Sequence, residues 1–114
     1  MPEDFFENWT VQVRKGLLEL WILNLLKEHE CYGYDLVKQL TARTGGGVTE
    51  GTLYPLLSRL HIQGLVGTRL EQSQNGPARK YYSLTPEGKR VVELMNKHLE
   101  SLLEETRSLQ RKEK

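Results

Sequence analysis

From Leu17 to Leu26 the chain reads LLELWILNLL, apolar at every position except Glu19 and Asn24. Wound at helical pitch, such a run leaves no broad polar face, so it predicts a helix buried on more than one side, with a second chain completing the burial. Upstream, Phe5, Trp9 and Val13 recur at i, i+4 and i+8. With Asp4 as N-cap and Glu7 three residues on, this predicts an amphipathic helix that begins near the start of the chain. Gly33 interrupts the pattern, Leu36, Val37 and Leu40 restore a helical stripe, and RTGGG (43–47) ends it in a glycine turn.

A third helix follows in EGTLYPLLSRLHIQG, where Leu53, Leu56, Leu57 and Leu60 share one face and Gly64 stands where a helix closes in the left-handed conformation. Thr49 and Thr52 are alternative N-caps. If Thr49 caps, Pro55 forfeits the bond to the Gly51 carbonyl, and a glycine there relieves the clash with the ring; if Thr52 caps, Pro55 falls in the first turn at little cost. Beyond Gly64, Val66, Thr68 and Leu70 alternate, Asn75-Gly76-Pro77 marks a tip, and Tyr81 and Tyr82 return on the other side. That is a β-hairpin, with one tyrosine facing inward and the other outward.

Thr85 and Pro86 form an N-cap and N1 pair for the last helix. Its seam of Val92, Met95, Leu99, Leu102, Thr106 and Leu109 steps by three and four, a heptad register. About 25 residues at 1.5 Å each extend roughly 37 Å, which outreaches a domain this small and predicts packing across a dimer. The fold class is therefore mainly α with a small β-hairpin: a winged helix-turn-helix over residues 1–85 and a dimerisation helix with a charged, fraying tail over 86–114. The dimer surface is expected from Phe5, Trp9, Val13 and Leu17 on the first helix and from Val92, Met95, Leu99, Leu102 and Leu109 on the last.

Charge changes the picture through its distribution. The chain of 114 residues carries a net charge of +1. Residues 1–50 hold five basic against eight acidic side chains, whereas 51–85 hold Arg59, Arg69, Arg79 and Lys80 against Glu71 alone. A locally basic stretch is what a phosphate backbone requires. The single Cys31 excludes an internal disulfide and fits a reducing cytoplasm, and the three histidines lack ligand spacing, so neither a metal nor a cofactor is expected. The apolar run from Leu17 is too short to cross a bilayer, so no membrane partner is expected. No nucleophile and base pair presents itself, and TGGGVTEG lacks the Lys-Ser/Thr of a phosphate loop, so an enzyme is not expected.

Four stretches in order, GLLELWILNLL, YGYDLVKQL, VTEGTLYPLLSRLHIQGLV and NGPARKYYSLTPEG, resemble the PadR family of transcriptional regulators. The single last helix is similar to the family's short-chain branch, whose members are homodimers. The resemblance implies a repressor bound to a palindromic double-stranded DNA operator, with the helix from about Thr49 to Gln63 in the major groove and the hairpin tip on the adjoining backbone. It also favours the earlier start of that helix. The implied DNA-facing positions are Thr49, Gly51, Thr52 and Tyr54, with Ser58 and Arg59 farther along and Arg69, Arg79 and Lys80 on the wing. Tyr34, at the entry of the second helix, is either a further phosphate donor or an amphipathic core tyrosine, and amides and hydroxyls at a helix start suit phosphate chemically. Arg14 and Lys15 either reach the DNA backbone or simply keep the first helix soluble, and the second reading is preferred.

The sequence departs from the family pattern at Tyr32, where histidine is usual, at Ser83, where a basic residue is common, and at Glu50, where proline is frequent. Some relatives bind flat drugs through a tryptophan on the last helix. Leu99 falls near that position here, which leaves Trp9, Trp21, Met95 and Leu99 as candidates to hold a small aromatic effector. The competing reading is a winged-helix protein-interaction module without specific DNA binding, kept open by Glu50, Ser83 and the near-neutral net charge.

Overall fold

The computed structural model describes residues 1–111. Its elements in chain order are α1 (Pro2–Glu28), β1 (Cys31–Tyr32), α2 (Gly33–Thr44), α3 (Glu50–Ile62), β2 (Val66–Glu71), β3 (Arg79–Leu84) and α4 (Pro86–Gln110). The three helices, hairpin and long last helix expected from the periodicity are all present. Residues 112–114 of the charged tail lie outside the described residues.

Local chemistry accounts for the boundaries. Thr49, not Thr52, caps α3: its side chain accepts from the Thr52 amide at 3.3 Å. Gly64 follows the end of α3 with φ 78°, the left-handed value that glycine adopts without steric cost. Thr85 caps α4 by accepting from the Gly88 amide at 2.9 Å, and Pro86 opens that helix. The expected cap at Asp4 is displaced. α1 starts at Pro2 with Met1 in the cap position, because a proline at the first helical position lacks only an amide that would have had no intrahelical partner.

The sheet is antiparallel, in the order β1-β3-β2. β2 and β3 pair from Val66↔Leu84 to Glu71↔Arg79, the expected hairpin. The two-residue strand β1, not anticipated from the sequence, pairs Cys31 with Tyr82 and Tyr32 with Tyr81. It ties the start of α2 to the wing. Tyr82 is the inward tyrosine, 7% exposed, and Tyr81 is half-buried.

The core gathers Ile22, Leu23, Leu36, Leu40, Leu53, Leu57 and Val66 around the C-terminal half of α1. Val92 also belongs to it, fully buried. That corrects its expected place on a face open to a second chain: the first turns of α4 fold onto this chain's own core, and the seam opens outward only beyond them. Met95 and Leu99 are half-buried against that core, whereas Leu102 and Leu109 are 44% and 88% exposed.

The Cα radius of gyration is 17.0 Å and the extents are 66 × 35 × 22 Å. A compact domain of this length would have a radius near 13 Å. The excess comes from the two ends. Phe5, Phe6 and Trp9 on α1 are 77%, 61% and 55% exposed, and the last turns of α4 project with no core beneath them.

Candidate nucleic-acid interface

The first turn of α3 faces solvent. Thr49, Glu50, Gly51 and Thr52 are all exposed, while Leu53 and Leu57 are fully buried on the other side. The Oγ1 atoms of Thr49 and Thr52 lie 3.2 Å apart, so the two hydroxyls form one polar unit at the helix start. Pro55, Ser58 and Arg59 continue the exposed face. Arg59 is not free: its Nε lies 3.5 Å from Glu19 on α1.

Tyr54 has two surroundings at once. It is 38% exposed, yet its ring lies over Gly33, where a Cβ would come within 2.9 Å of the ring edge and hydroxyl. Burial, and then the Glu50 carboxylate, push its phenol above the ordinary value. The ring therefore packs α3 against the first residue of α2 while one edge stays available.

On the wing, three cations have three different environments. Arg69 is committed to Glu30, with Nη2 to Oε1 at 2.5 Å and Nε to Oε2 at 3.0 Å, and its Nη1 reaches Glu71 at 3.4 Å. Its guanidinium carbon also stands 4.6 Å from the centre of the Tyr81 ring. These bonds hold Glu30 below and Arg69 above their ordinary values. The wing thus docks on the segment that precedes β1, and Arg69 is a fastening more than an open charge. Arg79 sits 5.3 Å over Tyr32 and, like Lys80, is exposed and makes no ion pair among the described residues.

Tyr34, 47% exposed, completes a row of rings: Tyr34 to Tyr32 at 6.4 Å and Tyr32 to Tyr81 at 5.9 Å, with the Lys38 ammonium 5.2 Å from Tyr34. The start of α2 and the root of the wing therefore form one aromatic and cationic strip.

The four residues expected to hold an effector do not converge. Met95 and Leu99 line an apolar groove of about 390 Å³ between α1 and α4, together with Leu17 and Leu102. Trp21 lies elsewhere, in the wall of a smaller cleft beside the α2–α3 turn, with Arg14 stacked 5.3 Å from its ring centre. Trp9 stacks on Phe6 at 6.3 Å on the projecting end of α1. Sequence reasoning also passed over Glu30 and misjudged Arg14, whose partners are distant in sequence.

Among the described residues no helix is long and apolar enough to cross a membrane. The family model of PadR-like transcriptional regulators matches residues 22–94, from the buried half of α1 into α4. The transcriptional regulator Rv3488 of Mycobacterium tuberculosis is 33% identical over 94 residues, which cover 82% of this chain and 86% of that protein. The crystal structure of a PadR family transcriptional regulator from Eggerthella lenta DSM 2243 superposes with a TM-score of 0.88 at 33% identity, over 97% of this chain and 96% of the other. A PadR-like transcriptional regulator from Bacillus cereus superposes with a TM-score of 0.78 at 34% identity, over 90% and 99%. Matched by the family model over more than half of its length and by solved structures over nearly all of it, the chain belongs to the PadR-like family of transcriptional regulators.

Proposed function

We propose that the protein is a homodimeric repressor that binds a two-fold-symmetric DNA operator, with the start of α3 in the major groove and the wing on the adjoining backbone. The observation that carries this reading is the exposed first turn of α3, where two threonine hydroxyls and a glycine backbone stand clear of the fold while the leucines anchor the opposite face. Glycine at position 51 lets the backbone approach a phosphate or base edge, and Thr52 and the free edge of Tyr54 reach from the same turn. Arg79 and Lys80 supply exposed cations on the wing, and Tyr34 an exposed phenol at the start of α2.

Dimerisation follows from the surface left open. The apolar end of α1 and the outer seam of α4, with Phe5, Trp9, Leu102 and Leu109 exposed, form the kind of projecting apolar area that a second chain covers. Two copies would place two α3 helices on successive turns of one groove, about 34 Å apart. Repression then needs only steric occupation of a promoter. The groove between α1 and α4, within the size range of small-molecule sites, would hold a small aromatic effector against Met95 and Leu99.

Selection of bound sequences from a random duplex pool at low salt tests the reading. The expected product is an inverted repeat with half-site centres one helical turn apart. Recovery of no enriched motif would overturn it in favour of a winged-helix module that binds protein partners.

A further inference from the structure

The turn that delivers the chain from α2 to α3 opens with Gly45, Gly46 and Gly47, with φ of 87°, 88° and 83°, before Val48 packs against the core and Thr49 caps α3. Three successive glycines carry no side chains to fix their own conformation, so whatever holds this turn must come from outside it. It comes from α1. The Arg14 guanidinium donates from Nη1 to the Thr44 carbonyl at 2.8 Å and from Nη2 to the Gly46 carbonyl, and its carbon stands 5.3 Å from the centre of the Trp21 ring on the same helix. One planar fork thus takes the last residue of α2 and the middle of the turn, while Trp21 keeps the fork from swinging away. Farther along α1, Glu19 pairs with Arg59 near the other end of α3 at 3.5 Å. α3 is referenced to α1 at both ends.

We infer that Arg14 is a positioning residue for α3: it fixes the glycine turn so that the Thr49 cap and the exposed residues Gly51 and Thr52 present themselves in one orientation. Lysine cannot replace it in full, since a single ammonium lacks the fork that spans two carbonyls while stacking on an indole. The inference rests on the DNA-binding reading for its consequence, but the tether itself is a property of the free protein. It also gives α1 a second role. The helix whose projecting end offers Phe5 and Trp9 to a partner is the one that holds the turn before α3, and Arg14 is its link to that turn.

The test uses the full chain and the variants Arg14→Gln and Arg14→Lys, the second guarding against a glutamine variant that fails to fold. Amide hydrogen exchange of the free protein should accelerate by at least about tenfold at Thr52 and Leu53, whose amides donate to Thr49, in Arg14→Gln, and less in Arg14→Lys, with the buried amides of α1 little changed. Binding to the selected operator should lose about tenfold in preference over random duplex, at an unchanged dependence on salt. Unchanged exchange at Thr52 and Leu53 would show that no tether exists in solution and overturn the inference. A salt slope lowered by about one would overturn it differently, making Arg14 a phosphate contact. If the unaltered protein shows no sequence preference, the DNA-binding reading fails and the positioning role with it, while the exchange result still decides whether the tether is real.

Discussion

Gly88, in the first turn of α4, packs its backbone directly against the carbonyl of Leu65, which also accepts a hydrogen bond from the Thr85 amide at 3.1 Å. A Cβ on residue 88 would fall 2.0 Å from that oxygen, a distance no side chain accommodates. With Thr85 Oγ1 donating to the Gly64 carbonyl at 2.7 Å, this contact welds the start of α4 to the end of α3. Gly88→Ala should therefore destabilise the fold by about 3 kcal/mol, at the upper end of overpacking costs. Denaturant unfolding at fixed protein concentration measures it, and a loss below about 1 kcal/mol would contradict the contact.

The wing cations should separate in DNA binding. Arg79→Ala and Lys80→Ala should each lower affinity for all sequences and reduce the salt slope by about one. Arg69→Ala should leave the slope nearly unchanged, because its charge already faces Glu30 and Glu71. Salt titrations of the three variants on one duplex settle the order.

Acid should loosen the wing root. Glu30 titrates below the ordinary value of 4.5 because Arg69 hydrogen-bonds its carboxylate. A carboxyl depressed in the folded state contributes stability above its unfolded-state value, and that contribution is lost as pH falls through the folded one. The difference in stability between the parent and Glu30→Gln should accordingly be present near neutrality and shrink on acidification from roughly pH 6 to pH 3. A difference constant across that window would count against the ion pair.

Asn24 on α1 and Asn96 on α4 exchange two amide hydrogen bonds, each 2.9 Å, within the apolar contact between the helices. Replacing one by leucine strands the other amide and should cost about 1–3 kcal/mol, whereas the double replacement should recover most of that loss. A double-mutant cycle reads the coupling, and strict additivity of the two losses would mean that the pair does not form.

The two parts of the α4 seam should behave differently. Leu102→Asp should convert the protein to a monomer in sedimentation with the fold retained, since Leu102 is 44% exposed. Val92→Ala should instead lower stability by about 2 kcal/mol through a core cavity. A Leu102→Asp protein that remains dimeric would move the interface off this seam.

What the sequence determined by itself was whatever a few adjacent residues decide. The cap Thr85, the left-handed Gly64, the hairpin and the periodicity of four helices are local, because each follows from backbone sterics or from a side chain bonding its own turn, whereas the choice between Thr49 and Thr52 as the α3 cap needed the structure. The family could be read for the same reason, since its motifs mark those local elements. Only the tertiary structure decided which charges and rings meet. Arg69 finds Glu30 across 39 positions and Arg14 finds Thr44 across 30, while Trp21 lies beside the α2–α3 turn and away from Met95 and Leu99. β1 escaped notice because two residues carry no periodicity, and its existence depends on β3 arriving beside it. Val92 shows the limit most directly. A heptad register names the face of a helix that must be covered, but whether this chain or a second one covers it depends on where α1 lies.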